Sequence, residues 1–239
     1  DVLLFAKGIA SAKKLDVNIF EAKIDTLAVQ GPNSNKIMEK IFGEKINQLK
    51  FFRYDFFNFN KKDFLISRSG YSKQGGFEIH IDDVNAGQKL YDYLFEIGDD
   101  FNLKPGTPNH PERIEGGLLS YGNEFTLKNN PYECDFDVYL KDMKHDFIGK
   151  EALLKIKSNG IDKKIKGVTF DGGPTPQCSI PFPVFSNNKL QIGNITSGIY
   201  SPFLKTNIGL SMIDKDYWNN GQEVIVLTPD SLERKGKVC

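Results

Sequence analysis

The chain has 239 residues, enough for one large domain or two smaller ones with an ample core. Its 31 Lys and Arg balance 31 Asp and Glu to a formal net charge of +0, so no global field recruits nucleic acid or an anionic membrane, and a small molecule is the expected partner. Cys134, Cys178 and Cys239 are far apart, odd in number and without paired ligand spacing, which argues against a disulfide framework or a zinc site and fits a reducing, cytoplasmic compartment.

No apolar run reaches membrane-spanning length and no signal peptide opens the chain. The sequence starts at Asp1 in what reads as the middle of an element, so a fragment of a longer protein is expected. Apolar residues at Val2, Leu3, Phe5, Ala6, Ile9 and Ala10 predict a helix over Val2 to Ala12. Short strands are expected at Val17 to Glu21 and Thr26 to Gln30. Gly31-Pro32 breaks the pattern, with Pro32 suited to a first helical position, Ile37, Met38, Ile41 and Phe42 as the stripe behind it, and Gly43 as the stop. Leu49 to Phe59 alternates aromatics and reads as a strand whose rings are core by default, although aromatic faces also attract an onium cation.

Two β-type runs then flank a glycine turn. Phe64, Leu65 and Ile66 feed in; Phe77, Ile79 and Ile81 alternate on the way out, with Glu78 and His80 on the opposite face. Gly70, Gly75 and Gly76 permit positive φ and leave backbone uncovered, so a flat ligand can approach. Leu90, Tyr91, Leu94 and Ile97 space as a helix ending before Gly98, and Pro111 to about Leu119 reads as another, with Gly122 as its stop. Asn129 to Cys134 is a turn, and Phe147 to Ile156 a helix. From Lys163 short alternating runs separated by Gly, Pro and Asn predict a small all-β barrel, with the boundary in Ser158 to Lys164. The three histidines sit beside no nucleophile elbow and are expected at the surface or as caps; no dinucleotide or phosphate loop is present.

Six segments carry a family resemblance. Leu27-x-Val29-Gln30-Gly31-Pro32-x-Ser34 is similar to V-Q-G-P-x-S. Arg68-Ser69-Gly70-Tyr71-Ser72, with Gly76-Phe77-Glu78-Ile79 after it, is similar to R-T-G-Y-T-G-E-x-G-F-E-I. Arg113-Ile114-Glu115-x-Gly117-x-x-x-Tyr121-Gly122 is similar to R-L-E-A-G-x-x-L-Y-G, and Asn130-Pro131-x-Glu133 to T-P-x-E. Asp146-Phe147-Ile148-Gly149-Lys150-Glu151-Ala152-Leu153 is similar to D-F-I-G-R-E-A-L, and Gly193-x-Ile195-Thr196-Ser197-Gly198-x-x-Ser201-Pro202-x-Leu204 to G-x-V-T-S-G-x-x-S-P-x-L. In this order they resemble the folate-binding aminomethyltransferase family, to which the glycine-cleavage T-protein belongs.

The resemblance implies an α+β fold: T-protein-like folate-binding α/β domains over residues 1–158, incomplete at the N-terminus, followed by a C-terminal β-barrel over 164–239. It implies tetrahydrofolate as cofactor, with Tyr71, Glu78 and Arg113 in its site. A pterin edge offers adjacent N–H donors, which a carboxylate such as Glu78 accepts, and a phenol such as Tyr71 covers a ring face. No catalytic residue is assigned, because the family's proposed catalytic aspartate belongs to an N-terminal part outside this chain. T-proteins carry an arginine four residues before the Arg113 position, and here it is Asn109, in Pro108-Asn109-His110-Pro111. This departure weakens the case for an aminomethyl substrate; Arg113 to Asn123, Asn129 to Cys134 and Asp1 to Ala10 resemble instead a divergent branch that moves a methyl group from the sulfonium dimethylsulfoniopropionate to tetrahydrofolate. A small-molecule sulfonium is then the partner, with no nucleic acid, membrane or metal, and a homodimer left open. Two alternatives stay open: an aminomethyltransferase of the glycine cleavage system, and a folate-binding relative without turnover.

Overall fold

Period-two alternation sorts Phe77 and Ile79 to one side of a strand and Glu78 and His80 to the other, and the fold of the first half follows from that sorting. The computed structural model describes residues 1–107 and 109–239; Pro108, in the segment read around Asn109, lies outside the described residues. The chain forms two units, residues 1–70 with 74–106, and residues 71–73 with 107–239.

The first unit is built on an antiparallel sheet of β1 (Asp25–Gln30), β2 (Tyr54–Phe59), β3 (Lys62–Ser67) and β4 (Gly76–Ile81), in the order β1-β4-β3-β2. Phe57, Phe64, Ile66, Phe77, Ile79 and Val29 point to one face and form a core with Ile37 and Met38 of α2 (Ser34–Phe42) and Leu90 and Leu94 of α3 (Val84–Glu96). Asp83 caps α3, its carboxylate accepting from the Asn85 and Ala86 amides at 2.9 and 3.1 Å. Helix α1 (Val2–Ala12) forms as expected, with only Ala10 buried.

Three expectations are corrected here. Val17 to Glu21 is exposed and makes no strand, because a strand needs a partner ladder and none is beside it. Pro32 is not the first helical residue; α2 opens at Ser34 with Asn33 as N-cap. The strand expected from Leu49 starts only at Tyr54, since Phe51-Phe52 form a turn with Phe52 at φ 54°.

The second unit holds a closed six-stranded antiparallel barrel, β10-β5-β8-β7-β6-β9. Its strands are β5 (Lys163–Phe170), β6 (Phe182–Phe185), β7 (Gln191–Ser201), β8 (Thr206–Asp214), β9 (Glu223–Leu227) and β10 (Glu233–Val238). Val168, Phe170, Phe182, Val184, Ile195, Ile213 and Val226 fill the interior. A second cluster joins Ile114 of helix α4 (His110–Glu115) to Ile165, Ile208 and Leu210 of β5 and β8. Helix α4 is shorter than the Pro111 to Leu119 expected: Gly116 caps it and Gly117, at φ 66°, turns the chain away, while Gly122, at φ 92°, belongs to the following turn. Helix α5 (Lys150–Asn159) starts three residues later than expected, behind Gly149 at φ 95°.

A Cβ added at Gly76, where φ is +145°, would lie 2.3 Å from the Val29 carbonyl oxygen, whereas one added at Gly8 in exposed α1 meets nothing within 4 Å. Gly76→Ala is therefore expected to cost about 2–4 kcal/mol in urea unfolding, and Gly8→Ala to be neutral or to stabilise by up to about 1 kcal/mol. Equal midpoints for the two variants would contradict this packing.

Candidate functional site

The sheet of the first unit has one covered face and one uncovered face. Register fixes what the uncovered face displays. Tyr54 pairs with Ser67, Ser67 with Glu78, and Glu78 with Ala28; in the next row Phe56 pairs with Leu65, Leu65 with His80, and His80 with Thr26. Directly opposed residues share a face, so a carboxylate, an imidazole, a hydroxyl and two aromatic rings stand together. Tyr54 and Phe56 are 65% and 57% exposed, and Glu78 and His80 are half-buried.

Glu78 is held from one side. The Ser69 hydroxyl donates to its Oε2, and Oε1 has no hydrogen-bond partner among the described residues. Ser69 in turn is fixed through its backbone. The Gln30 side-chain amide donates to the Ser69 carbonyl at 3.0 Å and to the Phe77 carbonyl at 3.1 Å, clamping the two ends of the glycine turn. The Gly31 amide adds a bond to the Gly75 carbonyl at 3.0 Å. A Cβ at Gly70 would fall 2.0 Å from Gln30 Oε1, so the glycine is required by this clamp rather than by an approaching ligand. Gln30 is what the sequence reasoning missed as a site-building residue; its place in V-Q-G-P-x-S was the available signal.

Tyr71 and Arg113 belong to the second unit. The Tyr71 hydroxyl donates to the Leu119 carbonyl at 2.6 Å and lies 3.2 Å from the Leu118 carbonyl. Burial pushes the phenol above its ordinary 10.0; the Arg113 charge opposes this and the Glu124 charge reinforces it. Arg113 is 4% exposed. Its Nη1 donates to the Leu118 carbonyl at 3.0 Å and to Glu124 Oε2 at 3.2 Å, its Nη2 to Ser197 Oγ at 2.6 Å, and its Nε to His110 Nδ1 at 3.3 Å. The Glu124 side chain is fully buried, accepts from the Ser120 amide at 2.6 Å, and leaves Oε1 without a partner among the described residues. Two residues on, Glu115 accepts from Ser201 Oγ at 2.5 Å. The charges of R-I-E thus meet the serines of T-S-G-x-x-S on β7, and the two motifs are one set of side-chain pairs. Tyr71 and Arg113 are brought together through the loop carbonyl of Leu118, and Glu78 stands in the other unit.

Other marked residues have local partners. Asn109 Oδ1 caps α4 by accepting from the Glu112 amide at 2.9 Å. Glu133 accepts from the Asn129 side chain and the Asn130 amide at 3.0 and 3.3 Å. Among the described residues no group of three or more His, Cys, Asp or Glu is placed to hold a metal ion, and no helix is long and apolar enough to cross a membrane.

Removing one partner of the buried pair strands the other charge, so Arg113→Leu is expected to cost about 3–5 kcal/mol, with part regained in Arg113→Leu/Glu124→Leu; chemical denaturation of the three proteins measures both. For Tyr71 the folded state keeps a proton that the unfolded state loses near pH 10. The phenol's contribution is complete below that pH and declines above it. Stability above pH 10 is expected to fall more steeply in the parent than in Tyr71→Phe, and alkaline melting curves of the two would show it.

The family model of the GCVT N-terminal domain matches residues 3–144, and that of the glycine cleavage T-protein C-terminal barrel domain matches residues 163–239. The chain is 40% identical over 232 residues to the dimethylsulfoniopropionate demethylase DmdA of Ruegeria pomeroyi, covering 97% of this chain and 63% of that protein. It is 36% identical over 221 residues to an aminomethyltransferase of Caldanaerobacter subterraneus subsp. tengcongensis, covering 91% and 58%. In three dimensions it matches the glycine cleavage system aminomethyltransferase T from Bartonella henselae with a TM-score of 0.83 at 20% identity, over 98% of this chain and 64% of that one, which shows a shared fold. The chain thus spans less than two thirds of the length of these relatives. With both of its T-protein domains matched in order, the chain belongs to the glycine cleavage T-protein family.

Proposed function

We propose that this chain is part of a tetrahydrofolate-dependent methyltransferase that demethylates dimethylsulfoniopropionate, giving methylmercaptopropionate and 5-methyltetrahydrofolate. The observation that carries the folate half is Glu78: a carboxylate on an uncovered sheet face, steadied at Oε2 by Ser69 and, among the described residues, without a partner at Oε1. A pterin edge presents paired N–H donors, and an acceptor-only carboxylate of this kind is the complementary group. These residues fit the cofactor chemically. The family pattern marks Tyr71 as a cofactor-binding residue of the second unit; its hydroxyl is anchored on Leu119 and the residue is 38% exposed. Arg113, whose donors are spent inside the protein, is read as holding the loop that anchors Tyr71.

Tetrahydrofolate, when bound, supplies the nitrogen that accepts the methyl group. A sulfonium is already an activated leaving group, so the protein's task is to orient the two reactants and exclude water, which is worth about 7–11 kcal/mol when geometry is tight. Tyr54 and Phe56, both on β2 and two strands from Glu78 and His80 on the same face, offer the electron-rich rings that attract a sulfonium. The 40% identity to a protein named as a dimethylsulfoniopropionate demethylase supports this donor.

A second reading, an aminomethyltransferase, is supported by the relatives of that name at 36% and 35% identity. Against it stands Asn109, whose side chain is used as a helix cap where T-proteins resemble one another in an arginine.

The assay supplies the protein with tetrahydrofolate and either the sulfonium or an aminomethyl-loaded lipoyl carrier. Formation of 5-methyltetrahydrofolate from the sulfonium is expected; ammonia release from the carrier alone would establish the second reading. Glu78→Ala is expected to weaken tetrahydrofolate binding by at least about tenfold, in line with about 1.5–3 kcal/mol for hydrogen bonds to a charged group. Unchanged affinity would remove the basis of the folate assignment.

A further inference from the structure

The face that carries Glu78 also carries three protic groups in line with it. Ser69 Oγ donates to Glu78 Oε2. Ser67 Oγ is 2.8 Å from Ser69 Oγ, and His80 Nε2 is 3.2 Å from Ser67 Oγ. Register explains the spacing: Glu78 and His80 are two residues apart on β4, opposite Ser67 and Leu65 of β3, so the ring and the carboxylate share a face and the serines bridge them.

The polarity of this line follows from a donor inventory. A carboxylate only accepts, and a serine has one proton to give. Ser69 spends its proton on Glu78, so Ser69 Oγ must accept from Ser67. The Ser67 hydroxyl also lies 3.4 Å from the Glu78 carbonyl, a longer contact than that to Ser69. With its proton committed to Ser69, Ser67 has only lone pairs to offer the ring. His80 Nε2 must therefore carry a hydrogen, and every bond in the line points toward Glu78.

We propose that His80 is a positioning residue for Glu78: its ring N–H feeds a one-way relay through Ser67 and Ser69 that holds Oε2 and leaves Oε1 for the ligand. This rests on the reading of Glu78 as the pterin acceptor. The advantage is preorganisation. A glutamate on an open sheet face has free rotamers, and a carboxylate already held by a directed line loses less freedom when a planar donor edge arrives. His80 touches neither ligand nor reacting atoms in this scheme, and its effect is transmitted only while both serines are present.

Tetrahydrofolate affinity, measured by calorimetric titration on the parent and on His80→Leu, His80→Gln, Ser69→Ala, Ser69→Ala/His80→Leu and Glu78→Ala, tests this. His80→Leu, which has no donor, is expected to weaken binding about 2- to 10-fold. His80→Gln, which restores an N–H, is expected within about twofold of the parent. Once the relay is cut at Ser69, His80→Leu is expected to cost nothing more, the non-additivity of residues acting through one line. Urea midpoints confirm that each variant is folded. Equal losses from His80→Leu in the presence and absence of Ser69, or no rescue by His80→Gln, would overturn the relay while leaving Glu78 in place. An unaffected Glu78→Ala would instead sink the folate reading, and the relay with it.

Discussion

One side-chain amide organises the hairpin on which the candidate site stands. Gln30 reaches from the end of β1 to the carbonyls of Ser69 and Phe77, on either side of the glycine turn. Its donors satisfy two backbone acceptors that the β3–β4 ladder leaves unpaired, and its bulk occupies the space where side chains at Gly70 and Gly76 would sit. The clamp has a chemical consequence. By fixing the backbone at Ser69 it fixes where the Ser69 hydroxyl lies, and that hydroxyl is the group that holds Glu78. Two separated motifs, V-Q-G-P and R-S-G-Y with G-F-E, are therefore one structural device.

The second unit repeats the logic with charge in place of an amide. Arg113 and Glu115, on a helix of six residues, each find a serine four positions apart on β7. A short helix has little stability of its own, so α4 depends on these side-chain bonds and on Ile114 packing against β5 and β8. A buried guanidinium is tolerable only when its donors are satisfied, and here a carboxylate, a carbonyl, a hydroxyl and an imidazole satisfy them. The same loop carbonyl that accepts from Arg113 lies beside the Tyr71 hydroxyl, so the arginine acts on Tyr71 through the backbone as well as through its charge.

Elements with a clear period were legible in the sequence. Helix α1 and strand β4, and the run of short barrel strands, follow from spacing alone because burial of one face imposes that spacing. What failed was governed by partners the sequence does not show. Val17 to Glu21 has strand-forming residues but no ladder; Leu118 and Leu119 continue a helical stripe past Gly117, whose positive φ ends the helix. For the candidate site, Glu78, Tyr71 and Arg113 were marked through motif likeness. Burial separates the arginine from the other two, and no residue pattern signals it, since an arginine that contacts a ligand and one that ties a loop to a barrel look alike in one dimension. His80 was set aside as a surface histidine. The alternation had already placed it on the face of Glu78, but hydrogen bonds through Ser67 and Ser69 depend on register, which a single strand does not reveal.

Register divides the uncovered sheet face of the first unit into two kinds of surface. The rows Tyr54-Ser67-Glu78 and Phe56-Leu65-His80 divide the face into a polar half on β3 and β4 and an aromatic half on β2. The geometry of the polar half is constrained by Gln30 and the serines. The aromatic half lies on an edge strand of the sheet, outside those constraints, and its rings are largely exposed. Substitution on β2 therefore leaves the carboxylate's hydrogen bonds intact, whereas substitution on β3 or β4 disturbs them. The surface on β2 is accordingly free to change without disturbing Glu78, while the polar half stays tied to the clamp that folds the hairpin.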